Sequence, residues 1–345
     1  MTQVSVDTTE IVLDSVVFNE SRSRVLTVAN TGQVPVQFEF IKKHREASYC
    51  KPWLKVEPCT GFLMPGDNAY VTLEVLVDKT TAWSLNSGLD TLYDILVLHL
   101  EGGKDIFITV SGQYHKSCFG CSIEALIHMH QPVGQAQAEH IAQLEKAAAL
   151  AMAQSNADAD STQPVLAVPK EMWFLLDELY RRGLDVPGLF EQPGLPAEIA
   201  AIRSTLDTSL PENLPGSVHS VAGALLIFLE TLREPIVPYG LTLRALDGCA
   251  SFATCRAVVQ SAPLSHQHFF KHAISFLKEL LLHSNRNGLD AKTLVALFGS
   301  AFIRLPPPNY PLTDPAVAQA LAAQPHLERR RSMFVHHFLV NELDD

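Results

Sequence analysis

The chain has 345 residues, a formal net charge of -11 at pH 7 and 47% hydrophobic residues. Its length is sufficient for two domains of ordinary size. The acidic excess disfavours nucleic acid as a partner, because phosphate backbones repel it. The sequence contains no apolar run of about eighteen residues and no basic segment ahead of an apolar one at the N-terminus, so neither a transmembrane helix nor a secretory signal is expected.

The first third of the sequence alternates apolar and polar residues with a period of two, which predicts half-buried β-strands. Turn signals such as Asn30-Thr31-Gly32 and Gly102-Gly103 separate the segments. Several short strands at this spacing predict an antiparallel sandwich of immunoglobulin type. The predicted strands are RVLTVAN, VPVQFEFI, AYVTLEVLV, DILVLHLE and DIFITVSGQY.

Six cysteines are too few for a disulfide scaffold, which fits a reducing, cytoplasmic compartment. The motif CFGC places Cys118 and Cys121 at the spacing of a metal-binding or redox pair. A zinc site needs a second pair of ligands, and Cys50 and Cys59 are too far away and too far apart to supply it. We therefore expect ordinary thiols at a strand end and no metal or cofactor, with metal or redox use as the alternative.

The composition changes after residue 121. Residues 122–164 are rich in Ala and Gln and end in Asp, Ser and Thr, which predicts a helical first part followed by a flexible linker. From Val165 onward the apolar period is helical, and prolines such as Pro235 and Pro238 break the helices. The sequence thus predicts a β-domain at 1–121, a linker at 122–164 and an all-α domain at 165–345. The predicted helices of the last domain include VPKEMWFLLDELYRRG, HSVAGALLIFLETL, HQHFFKHAISFLKELLLHS, DAKTLVALFGSAFI and RRSMFVHHFLVNEL.

Two stretches of the α-domain are similar to the motifs of Rho GTPase-activating (RhoGAP) domains. HSVAGALLIFLETLREPIVPY resembles HxVAxLLKxFLRELPEPxxPY, and TLVALFGSAFIR resembles NLAxVFGPxLLR. The β-domain resembles the ASH (ASPM–SPD-2–hydin) domain. In this order, and with stretches such as YCKPWLKVEP and SCFGCSIEAL, the two domains resemble the C-terminal half of the OCRL-type (Lowe syndrome) inositol polyphosphate 5-phosphatases. The catalytic motifs of the phosphatase domain do not occur in these residues, so we expect no phosphatase activity from them.

The RhoGAP resemblance identifies the loop GLFEQPG as the arginine-finger loop, in which the family has GxFRxSG. An arginine finger neutralises the charge that develops on the GTP phosphates. Glu191 occupies the finger position here, and a carboxylate repels a phosphoryl group. Four further family positions also differ, since Leu226 replaces a Lys, Glu230 an Arg, Arg233 a Pro and Thr293 an Asn. The resemblance therefore implies a RhoGAP fold without catalytic residues.

Two alternatives concern these helical residues. Leu226 and Glu230, at helical spacing, would equally suit one core and one surface position. Arg203 is a candidate for a finger acting from another position, but it lies four residues before Asp207 and is expected to pair with it on a helix surface.

The resemblance implies that Rab GTPases bind the late strands of the ASH domain and the segment after them. The matching positions here are Tyr114, Cys118, Phe119 and Gly120. Phe119 is the expected anchor, because exposed aromatic residues often dominate interfaces. The alternative is that Phe119 is a core residue that closes the sandwich.

The resemblance also implies that a Phe-and-His peptide of endocytic adaptors docks as a helix in a groove of the RhoGAP-like domain. Met172 and Trp173 are the candidate groove residues. Trp173 and Phe174 point about 100° apart on a helix, so one of them is expected in a groove or at the domain junction. The alternative is that Trp173 only packs against the β-domain. Rac- and Cdc42-type GTPases are expected to bind without turnover. Clathrin is a doubtful partner, because IAQLE at 141–145 has Ala and Gln inside a degraded clathrin-box match.

The sequence thus predicts a non-catalytic interaction module. It would target a phosphoinositide 5-phosphatase to early endosomal and Golgi membranes, with ciliary and phagosomal membranes as further sites, as a cytoplasmic, peripheral protein. The alternative is a catalytically active GAP for a Rho-family GTPase.

Overall fold

The computed structural model describes residues 3–153, 167–307, 310–311 and 314–342. The chain divides into two compact units, Met1–Ser117 and Cys118–Asp345. The first unit is a β-sandwich and the second is helical, so the predicted order of a β-domain and an all-α domain is confirmed. Among the described residues, no helix is long and apolar enough to span a membrane.

The β unit consists of two sheets that face each other. Four strands form one sheet in the order β1-β3-β7-β5, and five form the other in the order β2-β9-β8-β4-β6. One short helix, α1 (Ala82–Asn86), lies between two strands. The strands are β1 (Val4–Val6), β2 (Glu10–Val16), β3 (Arg22–Asn30), β4 (Val36–Ile41), β5 (Leu54–Glu57), β6 (Thr60–Leu63), β7 (Asn68–Val75), β8 (Tyr93–Leu100) and β9 (Ile106–Tyr114).

The alternating sequence pattern explains the core of this unit. Leu26 and Val71 on one sheet, and Leu96 and Ile108 on the other, are completely buried. Their sequence neighbours point outward, because successive side chains of a strand alternate between its faces. The five strands read from the sequence correspond to β3, β4, β7, β8 and β9.

The pairing of β2 differs from the predicted antiparallel arrangement. It runs parallel to β9, with Ile11 opposite Val110, although the two strands lie about 100 residues apart in the chain. A parallel pair needs a long connection rather than a hairpin. Alternation of apolar residues reports which face is buried but not the direction of the neighbouring strand, so this feature could not be predicted.

The helical unit begins immediately after the β unit. A 3-10 turn (Val133–Gln135) lies between its first two helices and another (Tyr239–Leu241) ahead of α7. The helices are α2 (Ile123–Ile127), α3 (Ala138–Ala153), α4 (Lys170–Arg182), α5 (Pro196–Thr208), α6 (Val218–Thr231), α7 (Thr242–Asp247), α8 (Phe252–Gln260), α9 (Leu264–Leu282), α10 (Ser284–Asn287), α11 (Ala291–Phe302), α12 (Pro315–Ala322) and α13 (Leu327–Val340).

Aromatic rings form a large part of the helical core. The ring of Phe270 on α9 contacts those of Phe302 and Phe338 edge to face, at centroid distances of 5.3 Å and 4.7 Å. Such T-shaped pairs contribute beyond the apolar area they bury. These contacts join α9, α11 and α13.

The helical unit includes residues that the sequence assigned to the β-domain and the linker. Its first residue is Cys118 rather than Val165, and α3 buries Ile141, Glu145 and Ala148. This differs from the predicted boundaries, because a short apolar stripe in an Ala-rich helix gives a weak sequence signal. The predicted linker residues 154–164 lie outside the described part of the chain.

Candidate functional site

The loop 188–194 connects α4 to α5, and two glycines and two backbone hydrogen bonds define its shape. Gly188 has a φ of +70°, which glycine adopts without steric cost. Its carbonyl oxygen accepts hydrogen bonds from the N–H groups of Glu191 and Gln192 at 3.0 Å and 2.9 Å. At the other end, a Cβ atom on Gly194 would lie 2.6 Å from Cα of Ser220. Both glycines are therefore required by the shape of the loop.

The middle of the loop is anchored in the helical core. Leu189 is completely buried, and the ring of Phe190 lies 5.0 Å from that of Phe298. Phe190 has a φ of +68°, a conformation that a non-glycine residue holds only when its surroundings fix it. The next residue, Glu191, is exposed. The frame of the loop therefore presents a carboxylate to solvent at the position that the resemblance assigns to the arginine finger.

A cluster of hydrogen bonds fixes the end of the loop against the start of α6. The carboxylate of Glu198 accepts bonds from the N–H of Ser217 at 3.0 Å and from Oγ of Ser220 at 2.5 Å. These bonds, that of Ser220 first, hold the pKa of Glu198 below its usual range. Oγ of Ser220 also accepts a bond from the N–H of Leu195 at 3.0 Å. Ser220 thus connects the loop, α5 and α6.

Three other positions that depart from the RhoGAP pattern, Leu226, Glu230 and Thr293, lie on α6 and α11. Leu226 and Glu230 are both half-buried. The alternative that one is a core residue and the other a surface residue therefore does not describe them. Oε1 of Glu230 accepts a bond from Oγ of Ser300 at 3.4 Å. Thr293 is half-buried in the first turn of α11, where its N–H donates to the Asp290 carboxylate at 2.7 Å.

Two arginines, Arg203 and Arg304, are engaged in contacts within the helical unit. Arg203 lies 3.8 Å from Asp207 as expected, but both side chains are buried rather than on a helix surface. Arg304 donates to the backbone carbonyls of Glu230 and Leu232 at the end of α6. Carbonyl groups at a helix end lack partners within the helix, so Arg304 has a structural role.

Two domain models match the two units. The model of the ASH domain of OCRL-like inositol polyphosphate 5-phosphatases matches residues 6–114. The model of the RhoGAP domain matches residues 169–307. The chain joins an OCRL-like ASH domain to a RhoGAP domain.

The similarity to a single relative extends over both domains and the segment between them. The type II inositol 1,4,5-trisphosphate 5-phosphatase of Mus musculus is 38% identical over 99% of this chain, which covers 33% of that protein. The chain thus spans about a third of the relative's length. The resemblance to this region of OCRL-type phosphatases, stated from the sequence, is confirmed.

Other relatives match one domain each. Rho GTPase-activating protein 24 of Mus musculus is 29% identical over 40% of this chain and 20% of its own length. The crystal structure of human Rho GTPase activating protein 15 is 21% identical over 50% of this chain and 82% of its own, with a TM-score of 0.42. The ASH/PapD-like domain of human CEP192 is 14% identical over 34% of this chain and 87% of its own, with a TM-score of 0.26.

The residues expected to contact Rab GTPases lie mostly inside the helical unit that contains the RhoGAP domain. Phe119 is 1% exposed, and its ring packs edge to face on Phe228 of α6 at 5.7 Å. Cys118 and Gly120 are buried as well, and Tyr114 at the end of β9 is half-buried. The expectation of an exposed Phe119 is therefore wrong. The alternative is right that Phe119 is a core residue, but it belongs to the helical unit and not to the sandwich. The apolar ring is buried because the chain turns into the helical unit directly after β9.

The two cysteines of the CFGC motif share this burial. Burial, together with the nearby carboxylate of Asp207, raises the pKa of the Cys118 thiol well above its usual range. Burial likewise raises the pKa of Cys121. The thiolate is the nucleophile and the metal ligand, so this environment disfavours both uses. The thiols lie in the helical unit and not at a strand end.

The two residues assigned to the adaptor groove point in different directions. Met172 is 1% exposed and belongs to the core, so its assignment to an accessible groove is wrong. Trp173 is 55% exposed and contacts the ring of Phe174 at 5.5 Å. Adjacent residues of a helix diverge by about 100°, which places Met172 inside and Trp173 outside.

Several residues of the site were not found from the sequence. Glu198, Ser217 and Ser220 fix the finger loop, and Glu145 forms an ion pair of 2.8 Å with Arg233, a position known from the sequence only as a departure from the family's proline. Ser217 precedes α6 as its N-cap, a signal that sequence reading can detect. Pairs far apart in the chain, such as Glu145 and Arg233, leave no such local signal.

Proposed function

We propose that the chain is a non-catalytic interaction module whose RhoGAP domain binds Rho-family GTPases of the Rac and Cdc42 type without accelerating GTP hydrolysis. The observation that carries this proposal is Glu191, an exposed carboxylate at the tip of a loop whose glycine and aromatic frame is otherwise that of a finger loop. A negative charge next to the γ-phosphate disfavours the transition state that an arginine would stabilise.

The engagement of the nearby arginines supports the same conclusion. Arg304 binds the carbonyls at the end of α6, and Arg203 is buried beside Asp207. Moving either one to a GTP phosphate would leave buried carbonyl or carboxylate groups without these bonds, which costs free energy. A replacement finger from these two positions is therefore disfavoured.

We further propose that Rab GTPases bind the ASH domain on the outer face of its late strands. Phe107 on β9 and Tyr93 on β8 are 61% and 48% exposed. Val97 lies directly opposite Phe107 in the sheet register and Ile95 points to the same face. This apolar face supplies the aromatic anchors that Phe119 cannot supply.

Trp173 supports a third binding role, for the helical Phe-and-His peptide of endocytic adaptors. The exposed indole and the adjacent Phe174 ring form an aromatic surface on α4. An amphipathic peptide helix inserts its apolar side chains against such a surface. Through these partners, the module would direct a phosphoinositide 5-phosphatase to endosomal and Golgi membranes.

The deciding experiment is single-turnover GTP hydrolysis by Rac and Cdc42 with an excess of the full chain. We expect no acceleration by the wild type, together with measurable binding of the GTP-loaded GTPases. Glu191→Arg should accelerate hydrolysis by roughly 100-fold, a fraction of the ~10³- to 10⁵-fold effect of a finger in a complete site. The shortfall is expected because Leu226 and Thr293 also differ from the family pattern.

Glu191→Gln is the matched control, since it removes the charge without supplying a cation. It should leave hydrolysis unaccelerated. Acceleration by the wild type of about 100-fold or more would contradict the proposal and establish a catalytic GAP instead. If the chain bound neither Rac nor Cdc42, the proposal that Rho-family GTPases are its partners would be wrong.

A further inference from the structure

The carboxylate of Glu145 on α3 connects the segment after β9 to the end of α6. Oε1 accepts a hydrogen bond from the N–H of Ser122 at 2.9 Å, and Oε2 accepts one from the guanidinium of Arg233 at 2.8 Å. Glu145 is 4% exposed. A buried carboxylate with a cation and an N–H donor is a strong, directional contact.

The backbone makes a second connection at the same place. The N–H of Arg233 donates to the carbonyl oxygen of Cys121 at 3.1 Å. Phe119 packs against Phe228 in the last turns of α6, at 5.7 Å between ring centroids. The segment 118–122 is therefore attached to the C-terminal end of α6 by a ring contact, a backbone bond and an ion pair.

Arg233 is one of the positions at which the chain departs from the RhoGAP pattern, which has proline there. Its partner Glu145 lies in a helix outside the residues 169–307 that the RhoGAP model matches. A proline has no side-chain donor for a carboxylate and no N–H for the carbonyl of Cys121. Arg233 and α3, which lies outside the matched residues, thus take part in the same contact.

The part of α6 that this contact fixes also carries Leu226 and Glu230. The end of the helix is held from a second side by Arg304, which binds the carbonyls of Glu230 and Leu232. Loss of the ion pair would leave Glu145 buried without its cation, and the end of α6 would lose one of the contacts that hold it. Breaking a buried pair from one side is more disruptive than removing both charges.

We propose that Glu145 and Arg233 are positioning residues for the GTPase-facing side of α6, so that the functional RhoGAP domain of this chain begins at Cys118. The proposal rests on the proposed binding of Rho-family GTPases. Neither residue is proposed to contact the GTPase itself. They act by holding the turn that carries Glu230.

The first test is hydrogen exchange on the full chain, comparing wild type with Glu145→Gln, Arg233→Met and the double variant. In each single variant, amides in the last turn of α6 should exchange roughly 10- to 100-fold faster, because one local support is lost. Amides of α13 around Phe334 should keep their protection. In the double variant the acceleration should be smaller than the product of the two single effects, since neither charge is then buried alone.

The second test is binding of Rac loaded with a non-hydrolysable GTP analogue. Each single variant should weaken binding by about 5- to 20-fold, and the double variant should recover part of the loss. The control is the exposed ion pair of Lys55 and Glu57 in the ASH domain, 2.7 Å apart with both side chains 67% exposed. Lys55→Met and Glu57→Gln should change neither exchange nor binding.

The outcomes separate the two proposals. If wild type does not bind Rac, the proposed function fails, and the exchange result alone decides whether the pair positions α6. If exchange in α6 is unchanged in both single variants, or if the two effects multiply without coupling, the positioning role is contradicted. A variant that unfolds globally would expose α13 as well, and the double variant then carries the test.

Discussion

Residues 118–121 and the loop 188–194 both match family motifs, yet they differ in what they bury. In the first segment the residue of interest, Phe119, is packed inside the helical unit. In the second, Leu189 and Phe190 are buried and Glu191 is left exposed at the tip. A motif therefore transfers a backbone frame, but packing decides which side chain of that frame meets a partner.

The largest effect is expected at Phe119. Phe119→Ala should lower the free energy of unfolding by about 3–5 kcal/mol, because it leaves a cavity against Phe228 in a closed core. Chemical denaturation monitored by far-UV circular dichroism measures this. A loss below about 1 kcal/mol would mean that the ring is not a core element, and the comparison between the two segments would fail.

Gly194→Ala tests the frame of the loop. The added Cβ would meet Cα of Ser220 at 2.6 Å, and backbone atoms cannot move away as a flexible side chain does. We expect a loss of about 1–3 kcal/mol in the free energy of unfolding. In the Glu191→Arg background the same change should also reduce the gained hydrolysis rate, because the loop would shift. Gly240→Ala is the control, since nothing lies within 4 Å of the Cβ added there.

The hydrogen bonds of Glu198 with Ser217 and Ser220 make the stability of the protein depend on pH. The bonds from Ser220 and Ser217 lower the pKa of Glu198 from its ordinary value of 4.5. Its contribution to stability is therefore present above pH 4.5 and is lost as the pH falls through the lower pKa of the folded state. Wild type should have a higher Tm than Glu198→Gln at pH 7, and the difference should narrow below pH 4.5. A difference in Tm that stays constant with pH would show that these bonds do not depend on the charge.

The smallest effect is expected at the tip of the loop. Glu191→Ala should change the free energy of unfolding by less than about 0.5 kcal/mol, because the side chain is exposed and the frame does not depend on it. Thermal unfolding next to Phe119→Ala makes the comparison direct. A large loss here would mean that Glu191 is a structural residue rather than a presented one.

Much of the fold was readable from local patterns. The period of two located β3, β4, β7, β8 and β9, and the helical period located α4, α6, α9, α11 and α13. Short elements such as β1 and β6 were missed, since a few residues do not establish a period. The direction of β2 and the membership of α3 depend on residues far away in the chain, and no local pattern carries that information.

For the candidate site, the sequence predicted which residue occupies a position but not whether its side chain is exposed. The identity of Glu191 at the finger position followed from the loop motif, whereas its exposure required the packing of Phe190. The burial of Met172 and Phe119 was not decided by residue type, because apolar residues occur in cores and in interfaces alike. Whether these surfaces bind GTPases and adaptor peptides stays a prediction for the experiments above.

The parallel pairing of β2 with β9 has a consequence for synthesis on the ribosome. Strand β2 leaves the exit tunnel before its partner strand and cannot complete its sheet until residues near Thr109 and Tyr114 have also emerged. At about 5–20 residues per second, that interval is on the order of 5–20 s. During this time the edge of β2 is available to other chains, so a nascent-chain chaperone would have its most useful contact there rather than on the helical segments that follow.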